Sequence, residues 1–444
     1  MIFGRLLRNS GWAVGATAIT SLAGFAEILL LAHYLGPASF GTFILIAAYP
    51  EAVQQLLDFR VRDGMTKYLA GFLAQGRKGD AVAVLKLLWT LDVGVSALAL
   101  LIVVLSAGLA ADLLVDDPSR GGLMIVYSVG LFFGSLDTAS GSVLRVLDRF
   151  ALSFGVGLAS SAVRLALVAA VVVADGGLET LVWARAASEL LTTLIQGSAA
   201  ALVLAPLLWE QRRAPIATLR DRYREIGTFL FSTNVAGVLR AASSKLDVIL
   251  IGLLASPATV GLYRIASQLS RLPLLVADAL YTVVFPRFAR SFALGQIADM
   301  RQIATRASVI MATVSIPAAV ALAVGGESLL SGLVGEGFGP AAPALALALV
   351  GIVPYVIFFW LQPLILTAGH AGALVTITAL ATALQLGGLA LLVPAFGASG
   401  AGAALAILYL VTICLELEFL RRRGLLSPQG VDGAAGTPSA TSAQ

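Results

Sequence analysis

One cysteine, two histidines and four lysines in 444 residues leave little room for several kinds of chemistry. Cys414 cannot form an internal disulfide, and a single thiol excludes a cysteine-based zinc or iron–sulfur cluster. His33 and His370 are too few for a multi-histidine metal centre. No metal and no other cofactor is expected. Charge is scarce as well. Asp, Glu, Lys and Arg make up 12% of the chain, about half of the roughly 25% usual in soluble domains. That excludes a disordered chain and an ordinary soluble fold, which would need far more polar surface. The net charge of +4 says little about partners by itself, and no nucleic-acid partner is expected.

What the chain has in abundance is apolar length. Hydrophobic residues form 59% of it, and the mean hydropathy is +0.93. A helix needs about 20 apolar residues to cross the hydrocarbon core. Stretches of that size fall near 10–32, 40–57, 82–106, 121–141, 150–174 and 179–205. A second set lies near 226–254, 259–285, 303–325, 341–368, 371–393 and 399–420. The first is too long for a signal-peptide core and lacks a cleavage pattern, so it is read as a retained span. Twelve spans place both termini on one side. With the N-terminus cytoplasmic, twenty-one basic residues fall in cytoplasmic segments and only Arg120 in an outer loop. The outer loops carry acids instead, among them Asp112, Asp175 and Glu327. One missed span would invert every later loop, so this bias supports the count.

The reading divides the chain into an N-terminal six-helix bundle (1–205), a basic cytoplasmic linker (206–225), a C-terminal six-helix bundle (226–423) and a disordered cytoplasmic tail (424–444). The tail is expected to be disordered because it is Gly-, Ala-, Ser-, Thr- and Pro-rich. All loops are short, which leaves no extramembrane catalytic domain and no expected enzymatic activity. An offset of 220 residues aligns Pro37-Ala38-Ser39-Phe40-Gly41-Thr42-Phe43 with Pro257-Ala258-Thr259-Val260-Gly261-Leu262-Tyr263. In the same register Glu27 meets Asp247 and Asp58 meets Asp278. Six spans per half make these parallel repeats. The fold class is therefore an all-α polytopic membrane protein, with twelve transmembrane helices in two six-helix bundles related by a parallel repeat.

Ten charged residues lie well inside the spans: Glu27, Glu51, Arg164, Arg185, Glu189, Arg240, Lys245, Asp247, Arg264 and Arg271. Facing lipid, each would cost about 2.5–3.5 kcal/mol on insertion scales. They must face protein, one another or a wet cavity. Helical spacing gathers polar residues into stripes, such as Arg264, Ser267, Gln268, Arg271, Asp278 and Thr282 on the eighth span. Polar stripes running most of the membrane depth suit a water-filled cavity. Arg185 and Glu189 form an i,i+4 match and are assigned a structural role. Arg164, Arg240, Lys245, Arg264 and Arg271 have no partner on their own helical turn. They are the candidate substrate-binding cations, fitting a phosphate through the guanidinium fork or the ammonium charge. Glu27, Glu51, Asp247 and Asp278 are the candidate charge-balancing or coupling acids.

Several segments resemble one family. They are Leu35-Gly36-Pro37-Ala38-Ser39-Phe40-Gly41, the run from Asp247 to Gly252, the turn Gly261-Leu262-Tyr263, and the segment from Gly335 to Pro343. In order and spacing they are similar to the polysaccharide transporter family of Wzx-like flippases. Its superfamily (multidrug/oligosaccharidyl-lipid/polysaccharide, MOP) also holds lipid II flippases and multidrug extruders. The resemblance covers roughly residues 5–422. It implies movement of an undecaprenyl-pyrophosphate-linked oligosaccharide across the bacterial inner membrane by alternating access, with polysaccharide polymerase machinery as a further partner. The lipid II branch carries several arginines on its first two spans; Glu27 and Glu51 stand in those spans here, which argues against that branch. Two alternatives are a cation or multidrug antiporter of the same fold, which would need an acid-dominated cavity, and a polytopic glycan polymerase, for which the outer loops are too short.

Overall fold

The computed structural model describes the backbone of residues 2–58, 60–208 and 211–424. Within these, the side chains of 2–18, 138, 139, 206–208, 233, 235–245 and 297 lie outside the description. The expected tail beyond Gly424 also lies outside the described residues. Among the described residues there is no strand, and nine helices are long and apolar enough to cross a membrane.

Two of the nine are too long to be single spans. The segment Ala371–Arg422 has 52 residues, about 78 Å at 1.5 Å per residue, against a hydrocarbon core of about 30 Å. It is interrupted at Gly397 (φ 53°, ψ −129°). The segment Ile2–Leu57 is interrupted at Gly36 (φ 68°, ψ 172°). Both are left-handed positions that only glycine adopts without strain. Pro37 follows the first break and suits the opening turn of a new helix, where its missing N–H costs nothing. The long helices are then α1 (2–35), α2 (37–57), α3 (Lys78–Val115), α4 (Gly121–Val146), α5 (Phe150–Val173) and α6 (Gly177–Leu208). After them come α7 (Tyr223–Leu254), α8a (Pro257–Ser270), α8b (Leu272–Ala293) and α9 (Ile297–Val324). The last are α10a (Ala342–Ile357), α10b (Leu361–Thr367), α11 (371–396) and α12 (398–422). With α8 and α10 each counted once, these are the twelve expected spans.

Contacts divide the chain into two compact units, Met1–Lys245 and Leu246–Gln444. The division falls inside α7. In the first unit, the 3-10 helix Ile216–Arg222 buries Leu219 in an apolar cluster with Met65, Leu69, Phe72, Leu88 and Ile226. The expected basic connector is thus partly packed rather than wholly superficial. Nearby, burial and the Glu225 carboxylate push the Tyr68 phenol up to about 12.

The two units repeat one packing scheme. In the first, α4 lies against α3 and α6; in the second, α10a lies against α9 and the α11–α12 hairpin. A Cβ on Gly130 of α4 would stand 2.7 Å from Cα of Ala186 on α6. A Cβ on Gly351 of α10a would stand 2.5 Å from Cα of Ala406 on α12. These pairs match the 220-residue offset to within one position. Such backbone approach at small residues is how helices pack where lipid is the solvent. Outward-facing Leu105, Leu202 and Leu391 are more than three-quarters exposed, as lipid-facing side chains are.

The eighth span departs from expectation. The sequence places Arg264 and Arg271 on one continuous helix, but the helix breaks at Arg271. Pro273 has no N–H to give the carbonyl of Leu269 and its ring crowds it, and Leu274 N–H bonds instead to the Arg271 carbonyl at 2.9 Å. The tenth span breaks in the same way at 358–360, with Pro363 just beyond.

Candidate functional site

Each unit carries its own polar cluster. In the first, Arg164 on α5 meets Glu27 on α1 at 2.6 Å. Arg164 has no partner on its own helical turn, and the one it finds lies on a distant helix, where Glu27 balances its charge. The Arg185–Glu189 pair forms on α6 as its spacing predicts, and Arg185 is also in electrostatic reach of Glu27. Tyr127 on α4 donates to Oε1 of Glu51 on α2 at 2.8 Å. The close approach at Gly130 and Ala186 brings α6 near enough for Glu189 to stand beside Gly134.

Helices α2, α3, α4 and α6 line an open cavity of about 570 Å³, within the 300–1,000 Å³ usual for ligand pockets. Its polar lining includes Glu51, Gln54, Gln55, Asp58, Asp92 and Glu189, with Arg60, Arg62 and Asp63 at the turn after α2. Five acids and two arginines therefore face it, and Arg60 is taken up by Asp63 at 2.6 Å. Asp92 is only 9% exposed and its Oδ2 has no hydrogen-bond partner; neither has Oε1 of Gln55. Glu51, Gln54, Gln55 and Asp58 of the second span thus line one cavity together, and its lining holds more acids than bases. No group of three or more His, Cys, Asp or Glu residues among the described ones has the geometry to hold a metal ion.

In the second unit, Asp247 on α7 is 2% exposed. Its carboxylate accepts from the Tyr263 hydroxyl of α8a at 2.8 Å and from the Val248 N–H at 2.7 Å. Arg271, half-buried at the break of α8, stands in electrostatic reach of Tyr409 on α12 and of the buried Asp247 carboxylate on α7. It forms no ion pair among the described residues, and its Nε has no hydrogen-bond partner. Arg264 is also half-buried with an unpartnered Nε. Asp278 on α8b is exposed. Arg240 and Lys245 belong to α7, but their side chains lie outside the described residues.

Sequence spacing missed the groups that hold these charges. Tyr127 and Tyr263 each donate to an acid of another helix, Tyr409 stands beside Arg271, and tyrosine in an apolar span carries no periodic signal. Glu416 was missed as well. It lies in the apolar run of α12 two positions before Glu418, yet it is 2% exposed; an acid inside a span is itself the signal that could have found it.

Comparison with known proteins agrees with this architecture. The family model described as "Polysaccharide biosynthesis protein" matches residues 30–343. The chain is 23% identical to the inner membrane protein YghQ of Escherichia coli (strain K12) over 282 residues, which are 60% of this chain and 74% of that one. Its fold is similar to that of an inward-facing multidrug resistance MATE family transporter of the MOP superfamily, with a TM-score of 0.71 at 14% identity. That alignment covers 95% of this chain and 96% of the transporter. It is also similar to the lipid II flippase MurJ in an inward closed conformation, with a TM-score of 0.65 at 13% identity over 91% of this chain and 86% of MurJ. The chain has the fold of MOP-superfamily transporters, and it belongs to the polysaccharide biosynthesis protein family.

Proposed function

We propose that this protein is a flippase that moves an undecaprenyl-pyrophosphate-linked oligosaccharide from the cytoplasmic to the periplasmic leaflet of the bacterial inner membrane, for polysaccharide assembly. The observation that carries the reading is Arg271. A guanidinium at membrane depth, set at a helix break beside Tyr409 and forming no ion pair among the described residues, is a cation held ready for an anionic group, with Asp247 in electrostatic reach to balance it. Broken spans are where transporters commonly place their sites. A pyrophosphate matches the planar fork, and Arg264, seven residues earlier, supplies a second cation. Arg240 and Lys245 are proposed to add to this set. Arg164 is withdrawn from it, since Glu27 already occupies it. On this reading no covalent bond is made or broken, both termini are cytoplasmic, and the polysaccharide polymerase acts on the product.

The acid-lined cavity of the first unit favours a second reading, an antiporter of organic cations. One experiment separates the two. Deleting the gene and extracting lipids should show a lipid-linked glycan accumulating on the cytoplasmic leaflet. If no glycan accumulates and the deletion strain instead becomes sensitive to cationic drugs, the antiporter reading replaces the flippase.

A further inference from the structure

The two broken spans of the second unit are joined by a string of polar side chains that runs from Arg271 on α8 to Glu416 on α12. Arg271, at the break of α8, lies in electrostatic reach of Tyr409. The Tyr409 ring lies 4.8 Å from the ring of Tyr355 on α10a. The Tyr355 hydroxyl accepts from Nε2 of Gln362 at 2.8 Å, and Gln362 opens α10b, just past the second break. The carboxyl group of Glu416 lies within electrostatic reach of the same amide. Tyr409 and Glu416 are seven residues apart on α12, about 10.5 Å at 1.5 Å per residue and on one face.

Two acids of α12 stand two positions apart and differ in every respect. Glu418 is exposed and bound to Arg422 at 2.6 Å, an ordinary surface pair. Glu416 is 2% exposed, forms no ion pair among the described residues, and leaves Oε1 without a hydrogen-bond partner. A side chain needed only to tie α12 to α10b could as well be glutamine. A carboxyl group differs from glutamine in being able to take up a proton.

We infer that Glu416 is a proton-binding site of the C-terminal unit, linked to Arg271 through Gln362, Tyr355 and Tyr409. The functional meaning of the link rests on the reading of Arg271 as the substrate cation. With Glu416 ionised, the Gln362 amide can donate one hydrogen to the carboxylate and the other to Tyr355. A proton added to the carboxylate turns it into a donor. The Gln362 carbonyl then becomes its natural acceptor, the amide rotates, and Tyr355 loses the hydrogen bond it was accepting. The change reaches Tyr409 through the ring contact and so alters what holds Arg271 at the break.

The other titratable groups around the string are few. Tyr355 is the one on α10a, and α10b offers only the neutral Gln362. Asp278 on α8b acts on Tyr355, and Asp247 on α7 acts on Tyr409. His370, just before α11, packs against Phe419 with ring centroids 5.4 Å apart, one turn beyond Glu416.

The test is pH-difference infrared spectroscopy of the purified full-length protein, which needs no substrate. The wild type should show a protonated-carboxyl band that appears as pH falls. Glu416→Gln should lose that band, while Asp278→Asn keeps it. Glu416→Asp, which keeps a carboxyl group should glutamine impair folding, should keep the band at a shifted frequency. Tyr355→Phe and Tyr409→Phe should shift its midpoint. A band intact in Glu416→Gln overturns the assignment, and a midpoint unmoved in both tyrosine variants overturns the link to Arg271. Neither result depends on the glycan, so failure here is distinct from failure of the flippase reading, which the lipid accumulation assay decides.

Discussion

Replacing Arg164 should destabilise the first unit rather than remove a substrate contact. The Glu27 side chain is 9% exposed and Arg164 28%, and they meet at 2.6 Å. Removing one partner of a buried ion pair leaves an uncompensated charge and costs about 3–5 kcal/mol. Arg164 is more than a quarter exposed, which puts Arg164→Ala at the low end, about 3 kcal/mol. For a unit of this size about 2–4 °C is lost per kcal/mol, so the thermal midpoint should fall by about 6–12 °C. Glu27→Ala should cost a similar amount. The double variant Glu27→Ala/Arg164→Ala should cost less than the sum of the two, because no charge is then stranded. Heating detergent-purified variants and reading the surviving monodisperse peak by size-exclusion chromatography measures all four corners of the cycle. Arg164→Ala melting like the wild type, with transport lost at normal abundance, would refute the reasoning and return Arg164 to the substrate site.

Arg271→Ala should abolish flipping at unchanged membrane abundance, and Arg271→Lys should restore it only in part because the two-pronged fork is lost; normal transport by Arg271→Ala sinks the site proposal. Arg264→Ala should weaken transport less. A side chain on Gly351 would meet Ala406 Cα from 2.5 Å, and one on Gly402 would meet Ala344 Cα from 2.8 Å. Gly351→Val and Gly402→Val should therefore each cost about 1–3 kcal/mol by forcing α10 and α12 apart, read as a lowered melting midpoint, whereas Gly71→Val, where nothing lies within 4 Å, should escape that clash. Reporter fusions after Arg120 and Gly335 should score periplasmic and those after Arg77 and Arg220 cytoplasmic; one reversed score overturns the orientation. Truncation after Arg423 should leave transport intact, and lost activity at normal abundance would show that the tail has a binding role.

The sequence alone determined whatever depends on local composition. Apolar runs of bilayer length identify the spans, since hydropathy over about 20 residues needs no knowledge of neighbours. The Gly36-Pro37 turn and the Pro257 helix start could be read because glycine and proline restrict the backbone by themselves. The Arg185–Glu189 pair was legible because both charges lie on one helix. The break at Arg271 was within reach of the same logic, since Pro273 announces it, but an unbroken polar stripe seemed to explain the residues. Only the tertiary structure decided which charges are spent. Arg164 is ion-paired by a helix far away in sequence, whereas Arg271 forms no ion pair among the described residues and stands beside Tyr409 with Asp247 in electrostatic reach. Tertiary packing also decided which acids share the first unit's cavity, bringing Glu51 and Asp58 of α2, Asp92 of α3 and Glu189 of α6 to one lining. Spacing along a helix says which side chains share a face; what that face meets is set by helices that spacing does not see.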